Sequence, residues 1–192
     1  MIGTQSMSIR QALDLGIGAL TKAHTHDPEG CAKFLLRHVI GTDPKAASII
    51  DPQRQLTKEE VDRFNILLEQ RRRHEPVWYI TNEGYFWKDT FYVDGRVLIP
   101  RPETELLVET VLAFTKHLPQ EDLSIADVGT GAGVIAISLA RELSAKIYAT
   151  DISYEATEVA QLNAERIGVA DKISFLVGDA LEPLQESVNL IV

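Results

Sequence analysis

The sequence predicts an α/β protein in which a small helical bundle precedes a Rossmann-like parallel sheet. In the first 75 residues, apolar side chains recur every three or four positions, which is the period of a helix packed on one face. After Thr104, strand-like and helix-like segments alternate, which is typical of a parallel sheet with helical crossovers. The 192 residues suffice for two small domains. We therefore expect a helical domain at 1–75, a β-hairpin linker at 76–99 and a sheet domain at 100–192.

Capping residues mark the helices of the first domain. Three segments carry the helical period, and they read SIRQALDLGIGALTKA, CAKFLLRHVIG and TKEEVDRFNILLEQRRRH. Thr57 and Glu60 stand in the order of a capping box, in which each side chain bonds the backbone of the other. Gly41 suits the left-handed position that follows a helix.

The linker carries the signals of a β-hairpin. Pro76 ends the preceding helix because the residue before a proline is pushed out of helical geometry. The segment VWYITNEGYFWKDTFYVDGRVLIP that follows is rich in aromatic and β-branched residues. We expect its turns at Asn82-Glu83-Gly84 and at Asp94-Gly95.

The second domain contains four predicted parallel strands, and in order they read LSIADV, KIYATD, KISFLVGDA and VNLIV. Helices fill the connections between the first three. Ligands of such sheets bind outside the carboxyl ends of the strands, near the point where the strand order reverses. Each of the motifs below lies at such an end.

A glycine-rich turn follows the first of these strands. Gly129, Thr130, Gly131, Ala132 and Gly133 lie between strand and helix, where glycines let the backbone approach a ligand at the helix N-terminus. A dinucleotide fingerprint would need a glycine where Val134 stands, and the Lys-Ser/Thr of a phosphate-binding P-loop is absent from the sequence.

An acid precedes this turn and narrows the choice of ligand. A carboxylate of Asp127 at the mouth of the turn would repel a pyrophosphate and attract a cationic ligand. The amino acid end and the sulfonium of S-adenosylmethionine fit that description. The sequence therefore favours this cofactor over NAD, whose oxidoreductases remain an alternative.

Acidic residues also end the next two strands. Asp151 is placed to accept hydrogen bonds from both hydroxyls of a ribose, as the acid of an NAD site does. Asp179 is placed to accept from an adenine amino group, with Ala180 beside the ring. Helix capping explains any one aspartate. Asp127, Asp151 and Asp179, however, lie at the ends of three successive strands. This arrangement predicts an adenosine-type ligand.

A proline-rich segment, VLIPRPETELLVE, opens the second domain. Its prolines stiffen an extended chain that leads into a helix, and an ordinary helix start is one interpretation. Two prolines around an arginine exceed what capping needs. We therefore predict a strap that closes the pocket over the methionine end of the cofactor, with Arg101, Pro102 and Thr104 as its contact residues.

Composition and charge exclude several classes of function. The chain is 45% hydrophobic and 24% charged, as in ordinary globular proteins. Met1–Leu98 carries 13 basic and 13 acidic residues, whereas Ile99–Val192 carries 6 and 15, which argues against binding to duplex DNA. Cys31 is the only cysteine, and neither it nor the scattered histidines indicates a metal site. No signal peptide or membrane span is expected, which makes the cytoplasm the default location.

Four motifs in order, EPVWYI, LIPRPETELLVE, DVGTGAGVIAISLA and ATDIS, resemble the HemK/PrmC family of protein-glutamine methyltransferases. The resemblance implies that Gly129–Gly133 and Asp151 bind S-adenosylmethionine and that the segment after Asp179 borders adenine. It further implies a Rossmann-like methyltransferase domain and a helical domain that recognises peptide chain release factors. The methyl acceptor would be the side-chain amide of the glutamine in their Gly-Gly-Gln loop.

One departure from the family concerns activity. The family's Asn-Pro-Pro-Tyr loop, which presents the acceptor amide, would follow Ile191-Val192, where this sequence ends. We therefore expect no catalytic residues in these 192 residues, an inactive fragment of a longer protein, and self-association through an unpaired strand edge. Two alternatives stay open, a methyltransferase acting on amino groups of nucleic-acid bases and a cofactor- or release-factor-binding module without turnover.

Overall fold

A computed structural model describes residues 7–41, 51–119 and 122–192. The chain divides into two compact units, Met1–Thr81 and Asn82–Val192. Of the helices within the described ranges, none combines the length and the apolar character that crossing a membrane requires. The division of the chain at 75 and 100 stays a prediction.

The first unit is a bundle of helices around one apolar core. Its elements are β1 (Met7–Ser8), α1 (Ile9–Lys22), α2 (Pro28–Ile40), β2 (Gln55–Leu56), α3 (Lys58–Arg72) and α4 (Val77–Thr81). The strands β1 and β2 pair antiparallel. Each helix buries one apolar face against the others, and the buried side chains include Leu20, Leu35, Leu36, Phe64 and Leu67.

The predicted helix ends of this unit are confirmed. The hydroxyl of Thr57 accepts the amide of Glu60 at 3.2 Å, and the Glu60 carboxylate accepts the amide of Thr57 at 2.8 Å. Gly41 follows α2 with φ of 71°. A second capping box, Ser8 with Gln11, opens α1 and was not predicted.

The hairpin forms, but its loop lies at neither predicted turn; a turn does form at Asp94-Gly95, where the Val97 amide donates to the Asp94 carbonyl at 3.1 Å. Residues Val77–Thr81 are helical, and β3 (Gly84–Phe86) pairs antiparallel with β4 (Asp89–Phe91) around Trp87-Lys88. Trp87 has φ of 56°, a region that local signals assign to glycine or asparagine. Its backbone amide donates to the Glu105 carboxylate at 2.7 Å, and its indole N–H donates to Glu142 at 3.3 Å. Contacts distant in sequence thus hold a turn that the local pattern disfavours.

The second unit is built on a parallel four-stranded sheet, which confirms the predicted α/β class. Its strands are β5 (Ser124–Val128), β6 (Lys146–Asp151), β7 (Ile173–Val177) and β8 (Leu190–Ile191), in the spatial order β7-β6-β5-β8. In the register of the sheet, Asp127 of β5 pairs with Ala149 of β6, and Asp151 of β6 pairs with Val177 of β7. The helices are α5 (Glu105–Thr115), α6 (Val134–Glu142) and α7 (Tyr154–Ile167).

The order of these strands fixes where a ligand can bind. The chain runs outward from β5 through β6 to β7, and β8 then pairs on the other side of β5. The strand order therefore reverses beside β5, and the carboxyl ends of parallel strands meet at that edge.

Candidate functional site

The glycine turn lies directly after β5 and is tied to the neighbouring strand. The amides of Gly129 and Thr130 both donate to the carbonyl oxygen of Thr150, at 2.8 and 2.9 Å. Thr150 lies in β6, in register with Val128 of β5. The turn therefore bends back over the end of β6 instead of continuing outward from β5.

The glycines of the turn meet different surroundings. Their φ angles are 73° at Gly129, 53° at Gly131 and 80° at Gly133, all in the region that side chains disfavour. A Cβ atom at Gly133 would lie 2.9 Å from Ile137 and 3.1 Å from Ala160, so this glycine lets α7 pack against the turn. A Cβ atom at Gly129 would meet nothing within 4 Å. The first part of the turn therefore faces open space.

Asp127 lies beneath this turn, whereas the sequence placed its carboxylate at the mouth. The residue is only 2% exposed, and its Oδ2 accepts the Thr130 hydroxyl at 2.7 Å and the Ala136 amide at 3.0 Å. Ala136 is in the first turn of α6, so the carboxylate satisfies an N–H that the helix leaves unpaired. Burial raises the pKa of the Asp127 carboxyl to about 6, which outweighs these two hydrogen bonds. A direct contact of Asp127 with cofactor stays a prediction.

Asp151 joins the turn to the start of the next helix. Its Oδ2 accepts the Gly131 amide and its Oδ1 accepts the Ser153 amide, both at 2.9 Å. The side chain is half-buried. A carboxylate has about four acceptor positions, so both oxygens keep capacity for further donors.

Asp179 and Ala180 follow β7 at the same edge of the sheet. The Gly178 amide donates to the backbone oxygen of Asp151 at 2.9 Å, which fixes the end of β7 beside the end of β6. Asp179 and Ala180 are both exposed, and Ala180 has φ of 46°. Their backbone is thus held at the site while their side chains face solvent.

The predicted strap forms a short turn ahead of α5. Arg101 and Pro102 are exposed and Thr104 is half-buried; Pro102–Thr104 form a 3-10 turn that follows Arg101. Within the described ranges, no hydrogen bond joins these three residues to the glycine turn. Their contact with the cofactor stays a prediction.

Sequence reasoning missed Asn163, which contacts the turn from α7. Its Nδ2 donates to the Ala132 carbonyl at 2.9 Å, and its Oδ1 accepts the Tyr92 amide at 2.6 Å. The available signal was an asparagine on the apolar face of a helix, between the buried Ala160 and Ala164.

Comparison with known proteins assigns both parts of the chain. Residues 11–81 match the family model of the PrmC N-terminal domain, and residues 104–192 match that of the methyltransferase small domain. Release factor glutamine methyltransferases of Chlorobaculum tepidum and Koribacter versatilis are each 39% identical to the chain, over 91% and 93% of it. That of Aliivibrio fischeri is 36% identical over 97% of the chain. These matches confirm the resemblance to the HemK/PrmC family that the four sequence motifs predicted.

The chain spans 60%, 62% and 65% of the length of these three HemK/PrmC relatives. The family resemblance assigned Gly129–Gly133 and Asp151 to the cofactor. The hydrogen bond from the Gly131 amide to the Asp151 carboxylate brings these positions together. The predicted strap at Arg101–Thr104 belongs to the same unit, and within the described ranges it is not hydrogen-bonded to these positions.

Proposed function

We propose that the second unit binds S-adenosylmethionine at the glycine turn. The proposal extends to the reaction that the relatives' names describe, methyl transfer to the side-chain amide of a glutamine in a release factor. The observation that carries it is the turn itself, open at Gly129, bonded to Asp151 and placed where the strand order reverses.

The residues present fit this cofactor. A Cβ atom at Gly131 would approach only the Gly129 oxygen, at 4.0 Å, so the space beside the turn is open to a ligand. The free acceptor capacity of Asp151 suits the two ribose hydroxyls, and exposed Asp179 suits the adenine amino group. Asp127 contributes by holding the turn in shape from below.

The chemistry explains why rigid positioning is required. When bound, S-adenosylmethionine supplies an electrophilic methyl group. A carboxamide nitrogen is a poor nucleophile because its lone pair is delocalised, so orientation must supply much of the rate enhancement. The turn fits such a task because hydrogen bonds fix its backbone and the Asp151 side chain.

The oxidoreductase alternative is disfavoured by Val134. A dinucleotide fingerprint needs glycine at this position, and Val134 is instead a buried residue that begins α6. A pyrophosphate would also approach the carboxylate of Asp151, which lies close enough to Asp127 to raise the pKa of that buried residue further.

Calorimetric titration tests the cofactor. We expect this chain to bind S-adenosylhomocysteine and not NADH. Asp151→Ala should weaken binding about tenfold or more, because it removes the ribose acceptor and frees the Gly131 amide. Asp171→Ala, at an exposed aspartate of the same unit, is the matched control and should bind like the wild type. NADH binding without S-adenosylhomocysteine binding would overturn the proposal.

A second titration tests the acceptor. In the presence of S-adenosylhomocysteine we expect binding of a release factor and not of duplex DNA, and the reverse result would favour a methyltransferase of nucleic-acid bases. A labelled-methyl transfer assay with the same release factor separates turnover from binding. Label on the glutamine amide would contradict the expectation that these 192 residues are inactive.

A further inference from the structure

A single buried side chain connects the glycine turn to the segment that leads into the strap. Asn163 is 1% exposed, and all its hydrogen-bonding groups face backbone atoms of two other segments. Its Nδ2 donates to the carbonyl oxygens of Ala132, at 2.9 Å, and Tyr92, at 3.0 Å. Its Oδ1 accepts the Tyr92 amide at 2.6 Å. The amide therefore bridges two segments that are distant in sequence.

On the side of the turn, Asn163 completes the bonding of one peptide unit. The carbonyl of Ala132 accepts from Asn163, and the N–H of the same peptide unit, on Gly133, donates to the Thr130 oxygen at 2.8 Å. Two residues before Gly133, the Gly131 amide donates to the Asp151 carboxylate. Glycines have no side chain to limit their rotation, so these bonds set the orientation of the peptide planes.

On the other side, Asn163 fixes the chain just before the strap. Tyr92 follows β4, and its hydroxyl donates to Asp94, which also binds Arg96 at 2.8 Å. Arg96 in turn lies 3.7 Å from Glu158 of α7. The segment from 92 to 96 is thus attached to the same helix that carries Asn163.

We propose that Asn163 is a positioning residue for the cofactor site, holding the glycine turn and the segment 92–96 in one fixed arrangement through α7. This inference rests on the proposed function for its ligand and adds a residue that does not touch the ligand. Its loss leaves the Ala132 carbonyl buried without this donor, so the turn rearranges to find another partner.

Hydrogen exchange of the ligand-free chain tests the turn without depending on the cofactor. For Asn163→Ala we expect exchange at the amides of Gly131 and Gly133 to rise about tenfold relative to wild type. The matched control is Thr115→Ala, which deletes another fully buried polar side chain, bonded to Val111 within α5. The control should lower the unfolding temperature without this local increase.

Titration with S-adenosylhomocysteine then tests the consequence for binding. Asn163→Ala should raise the dissociation constant about tenfold at a temperature where the variant stays folded, whereas Thr115→Ala should leave it unchanged. If Asn163→Ala lacks a cooperative unfolding transition, Asn163→Asp takes its place. Asparagine and aspartate have similar volumes, and an aspartate oxygen can still accept the Tyr92 amide. The substitution removes the side-chain N–H groups that donate to Ala132 and Tyr92.

The outcomes separate this inference from the proposed function. Equal exchange at the turn in the Asn163 and Thr115 variants, or equal affinity for S-adenosylhomocysteine, would overturn the positioning role and leave the cofactor assignment intact. If the wild-type chain fails to bind S-adenosylhomocysteine, the cofactor assignment is overturned. The expected effect of Asn163 on cofactor affinity is then overturned as well.

Discussion

The helix caps of the first unit and the candidate site of the second differ in how far their hydrogen bonds reach along the chain. In the first unit, the helix caps join residues three apart, as Thr57 joins Glu60 and Asp27 joins Gly30. In the second unit, the bonds that build the site join residues 9, 20, 31 and 71 apart. Local contacts thus set the helix ends of one unit, and tertiary contacts assemble the site of the other.

Substitutions that remove a local contact should destabilise the chain less than substitutions that remove a tertiary contact. A capping contact forms as soon as its helix forms, so its loss is felt locally and modestly. A contact such as Asp127 to Ala136 exists only after the sheet and α6 have packed, and it forms out of contact with solvent. We therefore expect the largest effects in the second unit.

Gly133→Ala is expected to have the largest effect. The new Cβ would lie 2.9 Å from Ile137 and 3.2 Å from the Ala160 backbone, at a φ of 80°. Strain and overpacking together should lower the free energy of unfolding by about 3 kcal/mol, measured by urea denaturation. Gly168→Ala, also at φ of 80° but in open space, should lose only about 1 kcal/mol. Equal losses would show that packing against α7 is unimportant.

Asp127 should make stability depend on pH. Its pKa is about 6 in the folded chain against an ordinary 3.8, so the folded state keeps a proton that the unfolded state releases. The resulting stabilisation is fully present below pH 4 and is lost as the pH rises through about 6. The gap between these pKa values corresponds to about 3 kcal/mol at most.

Comparing wild type with Asp127→Asn isolates this contribution. The asparagine does not titrate, yet its carbonyl can still accept from Thr130 and Ala136. The free energy of unfolding measured from pH 4 to pH 8 should fall less steeply in the variant. Parallel profiles would mean that Asp127 does not retain its proton in the folded chain.

Thr57→Ala tests a local contact of the first unit. It removes the hydroxyl that accepts the Glu60 amide and should lower the free energy of unfolding by about 1 kcal/mol. Hydrogen exchange should rise at the first amides of α3. Thr57→Ser, which keeps the hydroxyl, should restore most of the loss; failure to do so would assign the effect to the lost methyl group.

Lys33→Gln should have the smallest effect. The pair of Lys33 with Glu29 lies on the surface of α2, with side chains 59% and 64% exposed. Solvent screens such pairs, so we expect a change below about 0.5 kcal/mol that vanishes in 1 M salt. A larger loss that persists in salt would contradict the division between local and tertiary contacts.

Much of the fold could be predicted where the pattern is local. The strand β6 has the predicted bounds, Lys146–Asp151, because a short apolar run between turn residues has no competing helical period. The hairpin turn at Trp87-Lys88 could not be predicted from its residues, since Glu105 and Glu142 hold it from elsewhere in the chain. The asparagine and glycine at 82 and 84 looked like the better turn, and Asn82 instead bonds the Val93 carbonyl.

The candidate site divides in the same way. Its glycines and the three aspartates after successive strands stood out in the sequence, because each lies at a predictable strand end. The sequence by itself therefore determined the alternation of strands and helices in the second unit, the edge of the sheet that carries the site, and the resemblance to the family. Only the tertiary structure decided that Asp127 lies beneath the turn and that Asn163 bridges it to Tyr92. Burial and hydrogen bonding between residues far apart arise from packing, and no local pattern of residue types contains them.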